Sequence, residues 1–465
     1  MSVILCIFMM TGCVEEYEAD IPESENRLLV VDGTICSNQR SQFYLTWSTL
    51  LNEVADRDSS VNVLPFIGAK VTICGTDGTE YECKEEKHKE KRPKIGDYDY
   101  ENGLYRYYNN EHGYYYYSPE MEYEEYSSSS GVYSCDVPKL NPDVSYFLTI
   151  KYGKEIYQST PEKPISTPDI EKLEYFQKDS LSNVEVLMTT AASDNPDNTT
   201  YFTWDYSETW ELRPARTTGV YYDVDNPDTP LVTVFPGVQL FPKYGWKTKD
   251  SDSICIESTV HYAGGKLDKY QLVSIPRDDE RISWNYSNKV TLRAISKAEY
   301  EYEMVSRQAG WEMGGLFTPQ PSAIPTNIRC LTSSKKVVGY VGCSQNVVSK
   351  RMYIDGTKIS RVLPESPILL FYNLTFEECI GMIYSGWLLS SYIVTPDGMG
   401  GANEETHWVR AKDLDVRKRG ASTVKPDYMP PFGEDYIFVD PGFNIYPKSE
   451  HKPDYYNEDY GNYEE

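Results

Sequence analysis

Apolar and polar residues alternate along much of this chain in short runs with a period of two. The clearest run places Val144, Tyr146, Leu148, Ile150 and Tyr152 on one side and Ser145, Phe147, Thr149 and Lys151 on the other. That spacing predicts a half-buried strand, and Gly153 turns the chain into a second one at Glu155-Ile156-Tyr157. Arg27-Leu28-Leu29-Val30-Val31-Asp32-Gly33 reads as an opening strand and turn. Ala69 to Cys74 reads as another, with Asp77-Gly78 as a hairpin turn into Glu80-Tyr81-Glu82. Further strands are predicted over 169–176, 183–190, 200–205, 327–331, 337–343 and 350–354. Trp204 and Trp210 fall among them and are assigned to packing. One helix interrupts the pattern. Ser296 is its N-cap with Glu299 three residues on, Ala298, Tyr302, Val305 and Ala309 recur at helical spacing, and Gly310 stops it. Trp311 and Phe317, just beyond, are expected to pack that helix onto a sheet.

Prolines 161, 164 and 168 mark a boundary. Before it, residues 27–160 form a first domain, in which Leu140-Asn141-Pro142 ahead of Tyr146 resembles the tyrosine corner of an immunoglobulin-like sandwich. Beyond it, 169–429 form a larger β-rich domain. The fold class is all-β: an N-terminal immunoglobulin-like or prealbumin-like sandwich and a C-terminal domain with one short helix. With 41 Tyr and 14% aromatic residues, composition agrees with strands. Residues 84–130 are an insertion that mixes both charges and then runs through Tyr114-Tyr115-Tyr116-Tyr117, read as low-complexity, partly ordered and solvated by its carboxylates, with a surface loop whose rings stack on sugar faces or partner side chains as the alternative. Residues 430–465 are acidic and tyrosine-rich and are read as a tail.

The N-terminus carries an apolar run from Val3 to Met10, too short to span a bilayer, followed by Thr11-Gly12-Cys13. This resembles a bacterial lipoprotein signal: residues 1–12 are the signal peptide, Cys13 takes the acyl groups, palmitate among them, and 13–26 form an acidic tether. Several acyl chains are needed for stable anchoring. Nothing else favours the membrane, because 71 Asp+Glu against 45 Lys+Arg leave a net charge of -26, which repels anionic lipid and nucleic acid. Glu15 and Glu16, in Val14-Glu15-Glu16-Tyr17-Glu18, resemble the acidic export signal that sends such lipoproteins to the outer face of the outer membrane.

Catalytic chemistry is not visible. His88, His112, His261, His407 and His451 make no metal-ligand spacing, the cysteines make no C-x-x-C, and there is no G-x-S-x-G elbow or phosphate loop. Gly398-Met399-Gly400-Gly401 reads as a turn. No catalytic residue, metal or cofactor is assigned. Beyond Cys13 and the signal, eight cysteines remain, and Cys74 with Cys83 and Cys330 with Cys343 are candidate disulfides.

Tyr300-Glu301-Tyr302, Gly314-Gly315-Leu316-Phe317, Pro319-Gln320-Pro321, Asn327-Ile328, Val338-Gly339-Tyr340 and Lys350-Arg351 together resemble the Bacteroidota lipoprotein family catalogued as domain of unknown function 4249. The similarity runs from the lipobox and Leu29-Val30-Val31-Asp32-Gly33 to about Met429. Relatives often carry two cysteines and a double glycine near the C-terminal end; here Asp413 to Ala421 has neither cysteine, and Ala421 replaces one glycine. The resemblance implies a setting beside TonB-dependent outer-membrane transporters. The expectation is therefore a non-enzymatic, surface-exposed binding lipoprotein that assists a TonB-dependent β-barrel in nutrient uptake. An adhesin or structural component is the alternative, and a hydrolase ranks third.

Overall fold

The run that opens at Leu29 becomes a strand because Leu29, Val31 and Ile35 alternate with outward positions, and burying one face is what a period of two allows. The computed structural model describes residues 27–48, 64–192, 200–312 and 325–430, apart from 95–96, 100–103, 110–113, 119–120, 122, 225 and 235–237, together with 439–440, 442 and 445. Strands dominate. The chain divides into two units, 1–165 with 304–345, and 166–303 with 346–465. The division at 165 lies among the predicted boundary prolines. The sequence reading placed all of 169–429 in the second domain, however, and residues 304–345 return to the first.

The reason for the return is one strand. Val337–Ser344 lies parallel to Leu29–Cys36 in an unbroken register, from Leu29 opposite Val337 to Cys36 opposite Ser344. The other edge of Leu29–Cys36 pairs antiparallel with Gln39–Trp47. From there the ten-stranded sheet continues through Tyr123–Val137, Glu80–Pro93, Lys70–Gly75, Tyr146–Tyr152 and Glu155–Ser159 to Ile328–Cys330, with Leu64–Pro65 as a side branch. The two ends of this order meet. The Asn327 side chain donates through Nδ2 to the Val341 carbonyl at 2.9 Å and accepts from the Val341 N–H at 3.0 Å, as a strand backbone would. The sheet therefore closes around a core of Val31, Phe43, Leu45, Val71, Ile73, Leu148, Ile150 and Val341.

The predicted tyrosine corner is present, with Tyr146 Oη accepting from the Asn141 N–H at 3.1 Å. The 84–130 insertion differs from the low-complexity reading. Its flanks extend Glu80–Pro93 and Tyr123–Val137 as one long hairpin, and Asp97–Asp99, Leu104–Asn109 and Tyr114–Ser118 make a small sheet at its far end. The backbone register sets position 91 opposite 125 and position 92 opposite 124.

In the second unit, Tyr201–Leu212 and Asn285–Ile295 are the centre of a five-stranded antiparallel sheet. Ile170–Gln177, Val184–Thr190 and Tyr270–Ile275 form a second sheet, whose Val184 and Val186 share a core with Trp210, Tyr286 and Ile354. A third sheet of Leu369–Tyr372, Ala402–Arg410 and Trp387–Pro396 supplies Trp387 and Trp408 to a separate core. Trp204 and Trp210 are buried, as expected of packing residues. Asp397 organises the Gly398–Gly401 turn by accepting from the Met399 and Gly401 N–H groups.

The predicted helix is α1 (Lys297–Glu312), and Ser296 Oγ accepts from the Glu299 N–H at 3.1 Å. Trp311 falls in its last turn, and Phe317 lies outside the described residues. Two further helices were not foreseen, α2 (Phe376–Tyr384) and α3 (Ala411–Leu414). Thr375 and Glu378 form a full capping box on α2, a local signal legible in the sequence. The tail is not wholly a tail: Ile445 is buried with Trp387 and Trp408, and Asp440 accepts from Arg417.

Neither candidate disulfide forms. Cys74 faces Glu80 while Cys83 faces Val71, three positions along the ladder, which is roughly 10 Å and beyond a disulfide's reach. Cys330 Sγ turns to Ser333 Oγ at 3.1 Å, Cys343 is buried in the core, and all eight described cysteines are thiols.

The parallel ladder rests on Gly339. Its φ is +121°, and a Cβ there would stand 1.8 Å from the Val31 carbonyl oxygen. Gly339→Ala is expected to lower unfolding free energy by about 3 kcal/mol or more, against about 0.5 kcal/mol or less for the exposed control Lys336→Ala. Urea denaturation followed by tryptophan fluorescence checks this.

Candidate functional site

Among the described residues that carry the family resemblance, Tyr300, Asn327, Gly339, Lys350 and Arg351 build the fold, while Gly314 to Phe317 and Pro319 to Pro321 lie outside the described residues. Asn327 closes the first sheet, and Gly339 lets two backbones approach. Lys350 Nζ donates to the carbonyls of Ile170 and Glu171 at 2.8 and 2.7 Å. Arg351 donates to Ser287 Oγ at 2.7 Å and stacks on the Tyr428 ring at 3.7 Å. Tyr300 packs on Tyr201 with ring centroids 5.0 Å apart. These contacts are architectural. Cys13, Glu15 and Glu16 lie outside the described residues.

Chemistry gathers elsewhere, in the second unit. A cavity of about 530 Å³ opens where Tyr201–Leu212 ends and residues 280–284, 363–365 and 412–419 converge. Its wall carries five Lys and Arg against three Asp and Glu, the reverse of the whole chain's balance. A volume of this order falls in the range of small-molecule sites, roughly 300–1,000 Å³.

The wall is built on buried carboxylates. Glu211, fully buried, accepts from Arg213 Nε at 2.6 Å and from Asn285 Nδ2 at 2.6 Å. Burial pushes its carboxyl above the ordinary value, partly offset by those two donors. Arg213, oriented in this way, lies 3.9 Å over the Trp284 ring. Glu280 accepts from Lys247 Nζ at 3.0 Å, Trp210 Nε1 at 3.2 Å and Arg419 Nη2 at 2.9 Å. Burial works to raise its carboxyl, but Arg419 and Lys247 outweigh it and hold it below the usual carboxylate range. Beneath them Arg281 clasps buried Glu208 at 2.9 and 3.1 Å and also holds Asp279. Ser283 Oγ, on the cavity wall and buried, has no hydrogen-bond partner. Cationic donors and a hydroxyl around a half-buried indole suit an acidic small molecule.

The sequence reading named none of these residues. Arg213, Lys247, Glu280 and Arg419 lie far apart in the chain, and no spacing links them. The one local cue was Arg417-Lys418-Arg419, a basic run in an acidic chain.

A second constellation places a serine, a histidine and a glutamate in hydrogen-bonding order. Ser391 Oγ lies 2.8 Å from His407 Nδ1, and His407 Nε2 lies 2.6 Å from Glu405 Oε1. Ser391 and His407 are opposed across two paired strands, and exposed Leu370, Tyr372 and Ile393 share the register rows beside them. The group lies on the edge strand Trp387–Pro396 and its neighbour, beside a register shift between Leu389 and Ser391. An acyl-transfer site also needs N–H donors aimed at an oxyanion; this group shows the Ser391, His407 and Glu405 hydrogen bonds. Among the described residues there is also no cluster of three His, Cys, Asp or Glu able to hold a metal.

A sequence profile described as Domain of unknown function (DUF4249) matches residues 14–351. The chain belongs to this family. No curated protein matches it. The DUF4249 match stops at Arg351, short of the expected Met429, so it includes the Arg213, Lys247, Glu280 and Trp284 side of the cavity but not the Lys412 to Arg419 side. In that second stretch buried Asp415 accepts from the Arg417 N–H, and Ala421 packs where a Cβ on Gly245 would stand 2.8 Å away.

The depressed Glu280 carboxyl fixes a pH dependence. The folded carboxylate holds its proton less tightly than the unfolded chain does, so its contribution is full above the ordinary carboxylate value and is lost as pH falls through the lower folded value. The melting temperature is expected to drop on acidification below about pH 4.5, and to drop less steeply in Glu280→Gln. Calorimetry across pH 3 to 7, about the carboxylate range, checks this.

Proposed function

We propose that this DUF4249 chain is a non-enzymatic binding lipoprotein, tethered through acylated Cys13 to the outer membrane and facing outward, which holds a small acidic molecule beside a TonB-dependent β-barrel during uptake. The observation that carries the ligand half is the cationic cavity on a protein of net charge -26: a cluster of Arg and Lys retained against the composition is what a carboxylate- or phosphate-bearing ligand needs. The sequence supports the tether, since the apolar run ends at Thr11-Gly12-Cys13 and turns acidic at once. The family match opens at residue 14, next to that thiol. The barrel partner rests on the family setting alone.

Two experiments separate the halves of this reading. Thermal-shift titration with inorganic phosphate, citrate and glucuronate is expected to stabilise the protein, with affinity roughly ten- to a hundredfold weaker in Arg419→Glu, the loss of one charge-assisted contact. Stabilisation by neutral sugars alone would overturn the ligand class. Extraction of membranes in mild detergent is expected to bring a β-barrel down with the wild type, whereas Cys13→Ser remains soluble. A wild type that elutes without a barrel argues for the adhesin instead.

A further inference from the structure

Glu80–Pro93 and Tyr123–Val137 run antiparallel with Lys84 opposite Ser134, so the next pair along the ladder is Cys83 and Cys135. Directly opposed residues of antiparallel strands have Cα atoms about 4.5–5.5 Å apart, within the span a disulfide requires. Their sulfurs are 2.8 Å apart. Cys74, Cys255 and Cys330 turn instead to hydroxyl or carbonyl oxygens.

We propose that Cys83 and Cys135 are a site of disulfide formation that clamps the foot of the long hairpin when the protein meets a thiol–disulfide oxidant.

The two thiols are unequally placed for this chemistry. Cys83 is buried in the core of the first unit, whereas Cys135 is half-buried and lines a surface depression of about 440 Å³ with Arg40, Lys84 and Ser134. Their contact pushes the Cys83 thiol up, reinforced by burial, and pulls the Cys135 thiol down. Cys135 is therefore the attacking thiol. Its thiolate attacks one sulfur of the oxidant's disulfide, and the oxidant's other sulfur leaves and takes up a proton. Cys83 then loses its proton to solvent, attacks Cys135 Sγ and expels the second oxidant thiol. Two protein thiols are oxidised by two electrons, and the oxidant's disulfide becomes a dithiol. The link closes a loop that contains the whole tyrosine-rich insertion, and it restricts the unfolded chain accordingly.

In a cell the reaction needs the oxidising compartment that the export reading supplies, so the test begins with purified full-length protein. The reduced chain is equilibrated in a glutathione redox buffer, quenched with N-ethylmaleimide and digested without reductant. The expected product is a peptide pair joined through Cys83 and Cys135, absent from Cys135→Ser. Reduction is expected to lower the wild-type melting midpoint by several degrees and to leave a Cys83→Ala/Cys135→Ala variant unmoved. Both cysteines recovered alkylated, or Cys83 joined to a different cysteine, would overturn the proposal. Protein alkylated in intact cells supplies the second arm: a chain that links in the buffer yet stays reduced there faults the export reading while the pair stands.

Discussion

A single parallel pairing holds the first unit together. Leu29–Cys36 is flanked on one side by its hairpin neighbour and on the other by Val337–Ser344, made some three hundred residues later. Until that strand arrives, the opening strand has a bare edge, and the closing contact from Asn327 to Val341 has no partner. Gly339 is the point at which the pairing is possible or impossible, because the Val31 carbonyl occupies the space a side chain would need. Residues 304–345 therefore belong with the N-terminal sandwich, although every strand of 166–303 precedes them in the chain.

The same constraint explains what the family signature marks. Asn327, Gly339, Lys350 and Arg351 serve ladder closure, backbone approach and carbonyl or ring capping. Residues with such roles identify an architecture and are silent about chemistry. The cavity is organised differently. Its cations are held in place by Glu211 and Glu280, whose own charges are compensated by the groups they orient. That leaves Arg and Lys head groups around Trp284 and Ser283, with a local sign opposite to that of the chain. Local sign matters more for a ligand than net charge, since exposed charges are screened beyond about 8 Å at physiological salt.

Much of the fold was legible from local patterns. The Tyr146 corner, the Ser296 cap and the Gly398–Gly401 turn each depend on residues within five positions of one another, and each is present; the structure adds Asp397 as the acceptor that organises the turn. The hairpin insertion departs from its low-complexity pattern because strand pairing is decided by the partner strand: Glu80–Pro93 finds Tyr123–Val137 some forty residues on. The disulfide candidates failed for a related reason. Closeness in sequence suggested Cys74 with Cys83, but the hairpin register sets them three rungs apart and brings Cys135 to Cys83.

By itself, the sequence determined the strand-rich class, the turns and the helix cap, because these follow from backbone stereochemistry and from side chains a few bonds apart. Tertiary structure decided which strand completes the first sheet, which cysteines meet and where cationic side chains collect. Arg213, Glu280 and Arg419 share one wall only because ladders and buried carboxylates carry them there from positions up to two hundred residues apart. No local pattern encodes that distance; only the closed packing of the sheets supplies it.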